Sequence, residues 1–165
     1  MTRKRSHVWH TLIEAKTRQR RRVEAEITLA QQAVADAREA VAESEHACEL
    51  AHDRLRGHIQ RMDALIAAPV LLADAYLCYD AFRGELDDAV VQAEQTVAAA
   101  NAAVAEREAE LVARKQALAR LDAMLDQCRK TAERLDQQDA TERELATEEE
   151  AVEAILARPR PRAGA

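Results

Sequence analysis

Two pairs of side chains carry the spacing of metal ligands. Glu43–His46 and Glu49–His52 both follow the Glu-x-x-His pattern that di-iron helix bundles use. Such sites need the motifs on separate helices, all pointing inward. Here both fall in one helical run and off its apolar stripe, so the spacing predicts no metal site. Cys48, Cys78 and Cys128 are an odd number at no metal spacing, which fits a reducing cytoplasm. The chain has two serines and no Gly-rich phosphate loop. Catalysis needs a concave, preorganised site, and a slender helical chain offers none. The expectation is a protein that is not an enzyme, with no catalytic residue and no cofactor.

Two other clusters could bind a partner. The stretch 65–86, LIAAPVLLADAYLCYDAFRGEL, holds three of the four aromatic residues and the first proline, Pro69. It has more apolar side chains than one helix seam can bury. Val70, Leu71, Leu77 and Phe82 fall off the seam, and clustered exposed apolar groups mark contact surfaces. Tyr76 and Tyr79 fall on it, where hairpin core is the plainer reading. The second cluster is Arg18, Arg20, Arg21 and Arg22, close to Lys115 and Arg120 in the register derived below. A solvated helix face explains such a run most simply. As a site it forms an electropositive collar suited to an acidic protein partner. RNA is disfavoured, because no aromatic residues interleave with these charges and the net charge is −6.

The elements that position these residues are long helices. The composition is rich in Ala, Glu, Arg, Leu and Gln, with 33% charged residues and 2% aromatic. That is a long-helix composition with few side chains large enough to fill a globular core. Gly57 and Gly84 are the only glycines before the C-terminal tail, so a sheet with tight turns is excluded. No run of about 18 apolar residues is present. The basic start MTRKRSHVWH has no apolar stretch after it, so it is no secretory signal. Residues 1–22 carry eight basic side chains and one acidic; residues 133–153 carry nine acidic and two basic. The two ends should therefore meet different partners, or each other.

A heptad repeat can be counted from Trp9. One seam position holds Ile13, Arg20, Ile27, Val34, Val41, Cys48, Leu55 and Met62; the other holds Trp9, Lys16, Val23, Ala30, Ala37, Ser44, Ala51, His58 and Leu65. A stripe this narrow needs a partner helix. Pro69 then interrupts, at a cost of roughly 3 kcal/mol inside a helix, and it pushes Ala68 away from helical geometry. The second repeat runs through Tyr76, Arg83, Val90, Val97, Val104, Leu111, Leu118, Leu125 and Ala132. Its other position holds Leu72, Tyr79, Leu86, Ala93, Ala100, Arg107, Arg114, Leu121, Cys128 and Leu135. The stripe lapses after Leu135 and resumes out of phase at Leu145, Val152 and Leu156.

Antiparallel pairing makes facing residue numbers add to about 141, with small side chains opposite large ones, as interdigitating layers require. Ala30 then meets Leu111, Ser44 meets Val97, and Trp9 lies over Ala132. His58 becomes a polar residue on the seam, near Arg83, that sets the register. The heptad phase is unbroken across Pro69, which a continuous kinked helix in a dimer also predicts; the cost of proline and the register match favour the hairpin. The predicted fold is all-α: a two-helix antiparallel coiled-coil hairpin with an overhanging C-terminal helix. Residues 1–157 form the single hairpin, with helix 1 over about 5–67, a turn at about 67–71 and helix 2 over about 71–157. Residues 158–165 form a disordered Pro/Arg tail.

At this point the chain resembles the FliJ/YscO stalk proteins of type III secretion and flagellar export, a group that includes the plant-pathogen-like Hrp branch; the resemblance leaves open whether the system is flagellar or a virulence one. The matching features are the basic start with an apolar pair (VWHTLIEAKTRQRRR), two long alanine-rich helices, and the apolar apex between them. The resemblance implies a central stalk, cytoplasmic and peripherally associated with an inner-membrane export apparatus without direct membrane insertion. Its open end, with both termini, would enter a hexameric export ATPase. The apex would reach the cytoplasmic domain of the export gate, and some members also bind secretion chaperones. Arg18 to Arg22 and the acidic stretch 139–156 then fall to the ATPase side, and Tyr76, Tyr79 and Phe82 to the gate side. The alternatives are a homodimeric coiled-coil scaffold or adaptor, and an RNA-binding rod.

Overall fold

The computed structural model describes residues 5–70 and 73–157. Two helices make up nearly all of it: α1, Arg5–Ile66, and α2, Ala73–Leu156. No strand occurs among the described residues. The two helices pack against each other, as the hairpin expectation requires. Leu71, named above as a contact residue, Leu72 of the seam and the tail 158–165 lie outside the described residues.

The break between the helices falls where proline chemistry puts it. The last α1-type hydrogen bond runs from the Ala67 amide to the Asp63 carbonyl, at 3.0 Å. The Ala68 amide then bonds the Leu65 carbonyl at 3.4 Å, tightening the final turn as helix ends do. Pro69 follows and cannot donate. Asp74 lies in the first turn of α2, where the positive end of the helix dipole favours a carboxylate.

The chain divides into two compact units. One joins the α1 segment up to Glu24 with α2 from Gln116 onward. Its seam buries Leu121, Leu125, Cys128 and Ala132, and Leu125 is only 1% exposed. The other unit, Ala25–Lys115, contains the chain reversal. It buries Ala30, Val34, His58, Met62 and Val90.

Every α1 residue assigned to the seam is buried or half-buried. On α2 the assignment fails at Arg83 and Arg107, both exposed. Each guanidinium turns outward to a carboxylate on its own helix, Arg83 to Asp87 at 3.7 Å and Arg107 to Glu110 at 3.2 Å. A long basic side chain can lay its methylenes along the seam and keep its charge in water. Arg114 also reaches Glu110, at 4.0 Å, and remains half-buried.

Candidate interaction surfaces

The apex region of Ala25–Lys115 is organised by His58. This side chain is 4% exposed. Its Nε2–H donates to the Tyr79 carbonyl oxygen at 2.8 Å. A carbonyl can only accept, so Nε2 carries the proton. The imidazole stacks on the Tyr79 ring with centroids 5.1 Å apart and meets the Phe82 ring edge-on at 5.4 Å. Both arrangements suit aromatic quadrupoles. His58 is thus a satisfied polar residue on the seam, held by Tyr79 and Phe82, while the neighbouring Arg83 pairs with Asp87.

This packing divides the predicted gate-side residues. Tyr76 and Tyr79 are half-buried and belong to the seam. Val70, Leu77 and Phe82 are exposed. Phe82 does both: one edge closes over His58 and the rest faces solvent. Ile66, absent from the sequence reading, is exposed as well. It is the last residue of α1 and sits off the stripe one position after Leu65, a signal the heptad count already contained.

The basic cluster is also divided. The Arg20 Nε–H donates to Asp122 Oδ1 at 2.6 Å, and Arg20 Nη1 reaches Glu24 at 2.6 Å. The hydrogen bond to Asp122, with the Asp122 and Glu24 charges behind it, holds the Arg20 guanidinium above its ordinary pKa. Arg18 reaches Glu14 at 3.6 Å. Arg21 and Arg22 are exposed and make no ion pair among the described residues. Arg20 is therefore held by two carboxylates and Arg18 faces one across an exposed i,i+4 spacing, so the charge with no carboxylate partner among the described residues rests on Arg21 and Arg22. Thr17, Arg20, Arg21, Glu24, Asp122 and Arg129 line a shallow groove of mixed charge here.

Polar links across the helices in each unit were missed by the sequence reading. His10 donates to Asp136 at 2.9 Å, Arg38 pairs with Glu108, and His52 lies 3.3 Å from Glu94. In each pair the α1 residue stands one position after a seam residue and the α2 residue four positions after the residue that faces it, so the numbers of each pair add to five more than the seam constant. Extending the facing rule to the flanking positions finds all three. His52 therefore faces a carboxylate on the other helix rather than serving the Glu49–His52 motif alone, and His46 is exposed. Among the described residues no group of three or more His, Cys, Asp or Glu side chains converges as metal ligands would. No helix of the described residues is long and apolar enough to cross a membrane.

A family model described as bacterial type III secretion protein (HrpB7) matches residues 4–159. The chain belongs to the HrpB7 family. It is accordingly a type III secretion protein, the class to which the resemblance to Hrp-branch stalk proteins pointed. No curated protein and no solved structure matches this HrpB7 chain.

Proposed function

We propose that this HrpB7-family chain is a non-enzymatic central-stalk component of the export apparatus, linking the hexameric export ATPase to the cytoplasmic domain of the export gate. The family match over residues 4–159 carries the reading. The pattern of exposed side chains supports its details. The gate-facing patch is Ile66, Val70, Leu77 and Phe82, with Tyr79 and His58 holding Phe82 in place. The ATPase-facing charge is Arg21 and Arg22, with Arg18 and Arg20 spent on carboxylates of this chain. The role is mechanical and allosteric: the paired helices couple the nucleotide state of the ring to the gate. Secretion chaperones are a further class of partner on this reading.

Copurification with the export ATPase, and stimulation of its ATP hydrolysis, tests the proposal. Arg21→Glu with Arg22→Glu should weaken ATPase binding and leave gate binding intact. Leu77→Asp with Phe82→Asp should do the reverse. A chain that binds neither partner at micromolar concentration sinks the stalk assignment.

One observation favours a second reading, the homodimeric scaffold. Leu77, Gly84, Val91, Ala98, Ala105 and Val112 recur every seventh residue on α2 and are all exposed. Sedimentation equilibrium separates the two: a stalk is a monomer at micromolar concentration, whereas a scaffold is a dimer that Val91→Glu with Val112→Glu dissociates.

A further inference from the structure

The end of α2 is a helix on which none of the described residues packs. Every side chain from Ala140 to Ala157 is exposed; Leu145 is 60% exposed and Leu156 78%. Helical spacings of seven and four residues return to nearly the same side. Leu145, Val152 and Leu156 therefore share one stripe, with Ile155 at its edge. Carboxylates line both flanks: Glu142, Glu149 and Glu153 on one, Glu144 and Glu148 on the other. Arg143, the single basic side chain in the stretch, falls on the opposite face.

These charges oppose the helix that carries them. Glu144–Glu148 and Glu149–Glu153 are like-charge pairs four residues apart, which destabilise a helix. Glu153 lies in the last turn, where no basic side chain balances it and where the dipole presents its negative end. Most helices in proteins draw their stability from packing an apolar face, and this stretch has no such packing. A cationic surface with an apolar floor relieves the repulsion, opposes the dipole and covers the stripe at once. A second copy of the same stretch does not, because its flanks bring carboxylates against carboxylates in either orientation.

We infer that residues 140–156 are a docking helix for a partner protein's apolar groove edged on both sides by Lys and Arg. Leu145, Val152 and Leu156 seat on the floor of the groove. The flanking glutamates pair with its edges. The inference rests on this stretch alone and stands whether or not the stalk proposal does.

The test uses the full chain and a synthetic amphipathic helical peptide with leucines on one face and lysines on the others. Hydrogen exchange and fluorescence anisotropy are measured together. The expected result is slowed exchange confined to about residues 140–156, with an affinity that falls as salt rises. The quadruple change Glu144→Gln, Glu148→Gln, Glu149→Gln, Glu153→Gln should weaken binding about tenfold. Leu145→Ser with Val152→Ser should weaken it by a similar factor. The glutamine variant relieves the like-charge repulsion, so lost helicity cannot account for its weaker binding. Leu29→Ser with Leu50→Ser, at two exposed α1 positions outside the stretch, should bind as the parent does. Four outcomes overturn the inference: protection elsewhere in the chain, undiminished binding by both variants, protection without peptide that grows with protein concentration, or protection without peptide that disappears on removing residues 158–165.

Discussion

Two stretches of α2 share a helical code, and packing treats them in opposite ways. From Leu121 to Ala132 the seam side chains are buried against α1. From Ala140 to Ala157 every side chain is exposed. Both stretches are rich in Ala, Leu and Glu or Asp, so intrinsic helix propensity does not separate them. Phase and partner do. The alternating three-and-four spacing persists to Leu135, lapses, and restarts displaced at Leu145. By then the facing numbers have run past the start of α1. Helicity and burial are thus independent properties of one sequence, and in this protein burial marks the part that holds the chain together.

The comparison can be broken most directly at Leu125. Leu125→Ala empties the most deeply buried side chain and should cost about 2–4 kcal/mol, with a lowered urea midpoint. A change within about 0.5 kcal/mol, typical of surface positions, would mean that the buried stretch contributes no more than the exposed one. His58→Ala asks whether a polar seam residue behaves like an apolar one. It removes two ring contacts and a hydrogen bond to a backbone carbonyl, and should cost about 1–3 kcal/mol. Its readout is faster hydrogen exchange around the chain reversal than in Leu121–Ala132.

Smaller effects sharpen the contrast. Arg20→Gln removes the link to Asp122 and should lower the urea midpoint slightly at low salt and not at high salt. The raised Arg20 pKa fixes the sign of any pH effect. A raised folded-state pKa contributes stability at every pH below it, and that stability is lost only as pH rises through it. The difference between Arg20→Gln and the parent should therefore be flat from about pH 6 to pH 9, where arginine stays charged in both states. Smallest of all, Leu145→Ala should leave global stability within about 0.5 kcal/mol of the parent. A loss as large as that of Leu125→Ala would show that the end of α2 is packed in solution.

Much of the fold was legible in the residues. Every α1 position that the seven-residue count assigned to the seam is buried or half-buried, though the count began at Trp9 and left out the buried Ser6, seven residues before Ile13. The facing constant of about 141 lies within five of each of these cross-helix pairs. The count erred at Arg83 and Arg107 because a heptad position fixes where a Cβ points and not where a long guanidinium ends. The candidate surfaces were less legible. The heptad count already separated Tyr79, on the seam, from Phe82, off it; what it did not supply is the His58 ring that stacks on the one and contacts the other. Arg18 to Arg22 looked like one basic patch, yet Glu14, Glu24 and Asp122 reduce it to Arg21 and Arg22. Glu14 and Glu24 stand four residues from Arg18 and Arg20 on the same helix, a spacing the sequence contains; Asp122 comes from the other helix, and no neighbour in sequence reveals it.

The sequence by itself determined the helices, the break at Pro69 and the seam, because these depend on local backbone chemistry and on a periodicity that one strand of text records. It also determined that residues after Leu135 leave the common phase. Only the tertiary structure decided which charges are paired across the helices, as Arg20 is with Asp122 and Arg38 with Glu108. Those pairs depend on what the opposing helix places within about 4 Å, a distance that no spacing along one helix contains.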